Sequence, residues 1–187
     1  MSEIYEPAED SELIRSHVKD YAKGVVLDMG AGSGVLSEES AKSRRVVKVF
    51  GVDINPEAIK HCIRNQKSRK IVYMASNLFS RFYEDERFLD VKFDLIMFNA
   101  PYLPDDLRTR DRALDGGING HGLICKFLHQ AEEFLRPNGR ILLVFSSLTG
   151  RDMLEKFMVK NRWLFKEIGR VHISFEDIFL YELCRKA

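Results

Sequence analysis

The sequence predicts an α/β fold built on a mostly parallel sheet with helices on both faces. Short apolar runs, such as residues 24–30 and 46–54, alternate along the chain with helix-like segments, such as residues 34–43 and 55–66. Continuous apolar strands separated by helices are typical of parallel sheets that are covered on both sides. The last segment, residues 163–183, alternates polar and apolar positions and predicts an antiparallel hairpin.

Several predicted elements have local signals at their ends. Asn55 can cap the helix after the second strand, and Pro56 fits its first position because the proline ring fixes φ. Pro137 and Gly139 are expected to close a long helix that begins at His121. We expect about seven strands in one domain, residues 1–187, with residues 1–23 as an N-terminal helical cap segment. The predicted parallel strands are residues 24–30, 46–54, 70–76, 93–99 and 140–146, and the predicted helices are residues 10–22, 34–43, 55–66, 121–139 and 149–161.

Composition argues against several functional classes. The chain has 187 residues, 45% of them hydrophobic, which suits one domain with a full core. Lys plus Arg number 29 and Asp plus Glu 28, so there is no global attraction to nucleic acid or acidic membranes. The candidate basic patch, Arg108, Arg110 and Arg112, is diluted by Asp105, Asp106 and Asp111. No apolar run approaches a membrane span, and the acidic N-terminus does not resemble a signal peptide, so we expect a cytoplasmic protein.

Cysteine and histidine spacing predicts no metal site. Cys62, Cys125 and Cys184 are far apart, and their odd number argues against a disulfide framework. The five histidines show no ligand spacing. His121 is expected to begin a helix, although it could instead line an acceptor cleft beside the glycine-rich loop, residues 115–122.

The ends of the first two strands suggest a nucleotide-like ligand. Gly30, Gly32 and Gly34 allow the backbone to approach a ligand closely, and their G-x-G-x-G spacing differs from the dinucleotide fingerprint, which weighs against NAD. Asp53 closes the second strand about where an acid would meet ribose hydroxyls. The structural alternatives are a plain tight turn and an acid at the start of a helix, beside Asn55.

The next two strand ends carry amides. Asn77 could meet an adenine edge, with Leu78 and Phe79 as an apolar shelf, although a capping Ser-Asn pair is an alternative. Residues 99–102, Asn-Ala-Pro-Tyr, end the fourth strand, and alone they could be an ordinary turn. Open parallel sheets bind ligands beyond the carboxyl ends of their strands, so these four ends form one candidate site.

Together these segments resemble the class I S-adenosylmethionine (SAM) methyltransferases. More narrowly, they resemble the HemK/PrmC-type glutamine methyltransferases, in the archaeal and eukaryotic branch that modifies class 1 translation release factors. The chain is too short for the N-terminal helical domain of bacterial PrmC, which fits that shorter branch. The combination of YEPAEDS with N-x-P-Y is the specific part, whereas the glycine loop and Asp53 are common to many methyltransferases. The resemblance is carried by residues 5–11 (YEPAEDS), 27–34 (LDMGAGSG), 52–59 (VDINPEAI), 99–104 (NAPYLP) and 113–128.

The resemblance implies a Rossmann-like fold, SAM as cofactor, S-adenosylhomocysteine as product, and a role for each matched residue. Asp53 would take the ribose hydroxyls, and Ile54, Asn77 and Leu78 would lie around the adenine. The methionine part would be surrounded by Asp28, Gly30, Ala31, Gly32 and Gly34, with Glu9 and Ser11 closing over it. Catalysis would involve Asn99, Pro101 and Tyr102, and the acceptor would be held by Asn99, Ala100 and Tyr102, with Asn99 also contacting the cofactor. Relatives in this branch often need a small zinc-binding activator subunit that adds to the sheet edge.

The tetrapeptide suits methyl transfer to a planar NH2 group. An amide nitrogen is a poor nucleophile, so an enzyme helps by positioning it and by placing acceptors near its N–H groups as positive charge develops. The Asn99 side-chain oxygen and the Ala100 carbonyl would be these acceptors, and Tyr102 would lie against the planar group. The family usually has a second proline at position 100, so Ala100 keeps the carbonyl but loses a constraint of about 0.4–1 kcal/mol.

The acceptor has one main alternative. The same chemistry suits the adenine amino group, so an N6-adenine methyltransferase of RNA or DNA would use a similar tetrapeptide. A non-catalytic SAM-binding partner subunit is a second alternative. The near-neutral charge, the lack of a basic stripe with aromatics and the YEPAEDS segment favour a glutamine in a class 1 release factor.

Overall fold

A seven-stranded mixed sheet forms the centre of the structure, a computed structural model that describes residues 9–101 and 121–186. Its strands are β1 (Gly24–Met29), β2 (Val46–Asp53), β3 (Ile71–Ala75), β4 (Phe93–Asn99), β5 (Leu135–Ser146), β6 (Trp163–Ile173) and β7 (Glu176–Arg185). They are arranged in the order β3-β2-β1-β4-β5-β7-β6. The first five pair in parallel, and β7 pairs antiparallel with both β5 and β6. The predicted fold class is therefore confirmed, including the C-terminal hairpin.

In the described part of the chain, six α-helices cover the two faces of the sheet. They are α1 (Glu9–Tyr21), α2 (Val35–Ala41), α3 (Pro56–Asn65), α4 (Ser80–Glu84), α5 (His121–Phe134) and α6 (Arg151–Lys160). The start of α3 is as predicted: the Asn55 side chain accepts a hydrogen bond from the Glu57 backbone N–H at 3.0 Å. Helix α4 and a short 3-10 helix at Glu86–Phe88 were not predicted, since their polar surface positions hide the periodicity.

One predicted helix ends earlier than expected. Helix α5 stops at Phe134, and the segment from Leu135, which we assigned to the helix, already belongs to β5. Pro137 lacks an N–H and disfavours helical geometry in the residue before it, so the helix cannot continue through this segment. Leu135 instead pairs with Phe93, and a Cβ at Gly139 would lie 2.9 Å from the Phe93 carbonyl oxygen. Gly139 therefore permits a close strand contact and does not cap a helix.

The core has one layer on each side of the sheet. Helices α1, α2 and α3 pack on one face through buried residues such as Ile14, Leu36 and Ile59. The other face carries a layer rich in phenylalanine beneath α4, α5 and α6. In the described part of the chain, no helix has both the length and the apolar character needed to cross a membrane.

Candidate functional site

The carboxyl ends of β1, β2 and β4 lie next to one another at the same end of the sheet. Met29, the last residue of β1, pairs with Val52 on one side and Phe98 on the other. The glycine loop, Asp53 and Asn99 each follow directly after one of these paired residues. The strand register therefore brings together three of the four predicted strand ends.

The glycine loop after β1 requires glycine at specific positions. Gly30, Gly32 and Gly34 have φ values of 71°, 52° and 82°, in the left-handed region that other residues rarely adopt. A Cβ at Gly34 would lie 2.7 Å from the Tyr73 hydroxyl oxygen, whereas a Cβ at Gly30 would have its nearest neighbour, a Phe98 ring carbon, at 3.7 Å. The loop is tightly packed at Gly34, on its way into α2, and more open where it faces Asn99.

Asp53 fixes this loop with its carboxylate. One oxygen accepts a hydrogen bond from the Gly32 N–H and the other from the Asn55 N–H, both at 2.8 Å. Each carboxylate oxygen can accept more than one hydrogen bond, so Asp53 can still bind hydroxyl groups of a ligand. Ile54, which follows it, is a 61% exposed apolar side chain. The loop, the acid and an exposed apolar surface therefore lie side by side.

Asp28 lies beneath the loop. Its side chain is 1% exposed and accepts a hydrogen bond from the Ser37 hydroxyl at 2.7 Å. Burial, with a smaller contribution from the negative charge of Asp53, raises the pKa of this carboxyl to about 6, even though the hydrogen bonds from Ser37 lower it. Asp28 therefore ties the end of β1 to α2, the two elements that flank the loop.

The segment after β3 is split between the surface and the core. Asn77 is exposed, and Leu78 is nearly buried with a positive φ of 50°. The Ser76 hydroxyl donates to the Leu78 carbonyl at 2.7 Å and holds this turn. Phe79 is fully buried and stacks on Phe134 with ring centroids 4.8 Å apart. The expectation that Phe79 forms a ligand shelf is therefore wrong, because its ring is part of the core.

Asn99, at the end of β4, is held by the start of α1. Its side-chain N–H group donates to an Asp10 carboxylate oxygen at 3.0 Å and to the Ser11 hydroxyl at 3.4 Å. An ionised carboxylate can only accept hydrogen bonds, so the Asn99 amide must turn its NH2 group towards Asp10. Asp10 and Ser11 are 2% and 5% exposed, which shields this arrangement from water.

The other end of the Asn99 amide is available. Its oxygen, Oδ1, is buried and has no hydrogen-bond partner among the described residues. A buried acceptor without a partner costs about 1–3 kcal/mol, so such an atom in a native protein needs an explanation, and a bound ligand group is one. Asn99 therefore presents an oriented acceptor at the edge that also carries the glycine loop.

The remaining predicted residues differ in how far the structure describes them. The Ala100 N–H donates to the Val144 carbonyl at 3.2 Å, which ties the tetrapeptide to β5, and Pro101 is exposed. Tyr102 and the first part of the YEPAEDS segment lie outside the described residues, and the Glu9 side chain is not described. The roles predicted for Tyr102 and Glu9 therefore stay predictions.

Sequence reasoning missed Asp10. We assigned Glu9 and Ser11 from the same segment, but the residue that contacts Asn99 lies between them. A signal was available, since Asp10, Ile14, Val18 and Ala22 recur every four residues and all are buried on one face of α1 and its extension. An acid at the head of an apolar helical stripe should have a buried partner.

His121 begins α5, as predicted, and its Nδ1 atom is buried without a partner among the described residues. In the described part of the chain, no three His, Cys, Asp or Glu side chains are grouped so that they could hold a metal ion.

Comparison with known proteins assigns the family. The sequence matches the family described as "Methyltransferase small domain" over residues 7–169. The chain belongs to this methyltransferase family. A Methanocaldococcus jannaschii relative, provisionally named a protein N5-glutamine methyltransferase, is 32% identical over 98% of this chain and 92% of its own length. Human "Methyltransferase HEMK2" is 29% identical over 76% of this chain and 72% of its own length. The resemblance to HemK/PrmC-type methyltransferases is therefore confirmed.

Bacterial relatives match only in part. The "Release factor glutamine methyltransferase" of Geobacter sulfurreducens is 31% identical over 73% of this chain, and the match covers 51% of that protein. The chain thus spans about half the length of this curated methyltransferase.

Solved structures support the methyltransferase fold. A chain from the E. cuniculi Mtq2-Trm112 complex, described as responsible for methylation of the eRF1 translation termination factor, aligns over 97% of this chain and 98% of its own, with a TM-score of 0.71 and 21% identity. M. capricolum TrmK in complex with S-adenosylhomocysteine aligns over 92% of this chain and 67% of its own, with a TM-score of 0.67 and 12% identity.

Proposed function

We propose that this methyltransferase transfers a methyl group from SAM to the side-chain nitrogen of a glutamine in a class 1 translation release factor, in the cytoplasm. The observation that carries the proposal is the Asn99 amide, whose NH2 group is held by Asp10 and whose oxygen is buried and unpaired. The names of the Methanocaldococcus jannaschii and bacterial relatives support a glutamine acceptor.

The cofactor would lie along the edge formed by the glycine loop, Asp53 and Ile54. The Asp53 carboxylate would accept from the two ribose hydroxyls, in charge-assisted hydrogen bonds, while it keeps its bonds to the loop. Ile54 would contact the adenine ring, with Asn77 and Leu78 on its other side. Gly30, Ala31, Gly32 and Gly34, above the buried Asp28, would follow the methionine part, and Ser11 and Glu9 would close over its end.

The positions of the glycine loop and Asn99 fit a methyl donor and an amide acceptor side by side. A Cβ built on Gly30 would lie 4.0 Å from the Asn99 carbonyl oxygen, so loop and tetrapeptide are close neighbours. When bound, SAM supplies a sulfonium methyl, and its transfer forms one N–C bond, breaks one S–C bond and leaves S-adenosylhomocysteine.

The protein contributes orientation and electrostatics. The acceptor NH2 group would donate one N–H to Asn99 Oδ1 and the other to the Ala100 carbonyl, which directs the nitrogen lone pair at the methyl group. Both acceptors become stronger partners as positive charge develops on that nitrogen. Pro101 restricts Ala100 to extended geometry, and Tyr102 would lie against the plane of the amide. The proton can leave to water after the transfer, so no strong base is needed.

We also propose that this chain has a partner protein. A small zinc-binding activator subunit, adding to an edge of the sheet, is expected from the resemblance. The Mtq2-Trm112 complex, whose methyltransferase chain shares the fold, supports a small partner. Purification of this chain with and without such a subunit, followed by activity measurement, tests whether it is needed.

Labelled SAM separates the possible acceptors. The chain is incubated with tritiated SAM, the release factor of its own organism, and total RNA and DNA, and the label in each fraction is counted. We expect label in the release factor. Label in nucleic acid would instead support the N6-adenine alternative, and SAM binding without label in any fraction would support a non-catalytic subunit.

A further inference from the structure

An exposed aromatic side chain stands at the tip of the β6–β7 hairpin. Phe175 is 98% exposed, and the turn that presents it contains Ser174 with a positive φ of 52°. Leu148, in the short 3-10 helix at Ser147–Thr149 after β5, is 58% exposed. We call Phe175 and Leu148 the tip surface. A single exposed apolar side chain is ordinary, whereas neighbouring ones more often mark an interaction site.

The tip surface is tied to the end of β5. The Ser146 hydroxyl donates a hydrogen bond to the Glu176 carboxylate, and the Asp177 N–H donates to the Ser147 hydroxyl at 3.1 Å. Phe175 directly precedes Glu176 and Leu148 directly follows Ser147, so these bonds hold both apolar residues in place. A partner that binds here would not have to order the hairpin first.

The tip of the β6–β7 hairpin lies at the same end of the sheet as Asn99, beyond the carboxyl ends of the parallel strands. Asn99 pairs with Val144 on β5, and Val144 pairs with Leu180 on β7, so two strand spacings, about 10 Å, separate Asn99 from β7. Phe175 lies five residues before Leu180, about 15 Å further along the strand direction, beyond the carboxyl ends of β4 and β5. Phe175 is therefore roughly 15–20 Å from Asn99, on the side away from the glycine loop.

We propose that the tip surface binds an apolar patch of the acceptor protein, outside the segment that carries the methylated glutamine. This proposal rests on the proposed function, because it places a protein acceptor at Asn99. The glycine loop and Asp53, where the cofactor would lie, are on the β1 and β2 side of Asn99. The acceptor protein therefore extends over β5 and β7, on the other side of Asn99.

Charge at the hairpin favours a protein over a nucleic acid. Glu176 and Asp177 adjoin Phe175, and these carboxylates would repel a phosphate backbone. The hairpin histidine, His172, is paired with Asp177 at 2.9 Å. An apolar tip rimmed by acids suits a protein surface with an apolar centre and basic or polar margins.

The proposal is tested by comparing a full-length acceptor with a short acceptor peptide. Phe175→Ala, Phe175→Leu and the control Val47→Ala are assayed with the intact release factor and with a five-residue peptide centred on its glutamine. Val47 is 73% exposed near the start of β2, at the amino ends of the parallel strands, opposite the end that carries Asn99. The peptide extends about 7 Å to each side of the glutamine and cannot reach Phe175.

We expect Phe175→Ala to raise KM for the intact factor about tenfold, with kcat, SAM affinity and KM for the peptide unchanged, since truncating an aromatic anchor typically has this effect. Phe175→Leu should recover most of the loss, and Val47→Ala should behave as the wild type. Equal KM values for Phe175→Ala and Val47→Ala on the intact factor would overturn the proposal while leaving the proposed function intact. A wild type that labels no release factor would overturn both. Concentration-dependent dimerisation that Phe175→Ala abolishes, with no KM effect, would assign the surface to a second copy and also refute the proposal.

Discussion

Replacing Asp10 with alanine removes the group that orients the Asn99 amide, which we propose acts in catalysis. In the wild type, the Asp10 carboxylate accepts from the Asn99 NH2 group at 3.0 Å and so leaves Oδ1 free to face the proposed acceptor site. In Asp10→Ala, Ser11 is the remaining partner that the structure shows, at 3.4 Å. A hydroxyl can donate or accept, so it cannot select one orientation of the amide.

The size of the effect follows from the bond that is lost. A hydrogen bond to a charged group contributes about 1.5–3 kcal/mol. If this energy holds Oδ1 in its productive position, its loss lowers kcat about tenfold to a hundredfold. Asp10→Asn should lie between the alanine variant and the wild type, because an asparagine can pair with either orientation of Asn99.

Single-turnover rates with saturating SAM and release factor measure this effect without a contribution from binding. The matched control is Glu12→Ala, an exposed acid on the same helix whose side chain is 62% exposed. Thermal unfolding of each variant separates loss of orientation from loss of fold. A folded Asp10→Ala variant with a rate within twofold of the wild type would refute the reasoning.

Three further predictions concern the glycine loop, the buried acid and the tetrapeptide. Gly34→Ala should destabilise the protein more than Gly150→Ala in urea unfolding: both have positive φ, 82° and 89°, but only at Gly34 would the new Cβ meet a neighbour, at 2.7 Å. Asp28→Asn should raise the free energy of unfolding by up to about 3 kcal/mol at pH 8 and by little at pH 4. The pKa of Asp28 is about 6 in the folded state against an ordinary 3.8, so the wild type loses stability as the pH rises between these values, and the neutral asparagine does not. An equal gain at both pH values would contradict this account. Ala100→Pro should keep kcat within several fold in a methylation assay, since the carbonyl is retained, and should lower the free energy of unfolding by about 1–2 kcal/mol, because losing the N–H bond to the buried Val144 carbonyl outweighs the entropic gain.

The fold could be predicted because each parallel strand is a local apolar run with a clear end. Asn55 and Pro56 mark the start of α3 in the sequence, and the structure places it there. Pro137 shows that α5 ends before it, but the last helical residue could not be placed, because Leu135 and Phe134 are equally apolar and pairing with Phe93 puts Leu135 in a strand. That pairing joins residues far apart in the chain, so the hydrophobic periodicity of the sequence does not reveal it.

The site was partly predictable for the same reason. Asp53 and Asn99 lie at the carboxyl ends of strands, and parallel strands finish at the same end of a sheet, so this rule alone brings them together. The link between Asp10 and Asn99 joins residues 89 positions apart in sequence, and it depends on how α1 packs against the sheet. Phe79 was expected to form an apolar shelf for a ligand with Leu78, whereas its burial depends on the aromatic layer under α4 and α5.

Tandem mass spectrometry of the release factor after reaction with wild type and with Asn99→Ala tests the central claim most directly. We expect the wild type to place one methyl group on the side-chain nitrogen of a single glutamine. Asn99→Ala should lower that methylation at least about a hundredfold, the size expected for loss of an acceptor that acts in the transition state, while the folded variant still binds SAM. A methyl group on another residue, or an Asn99→Ala variant with near-normal activity, would contradict the account.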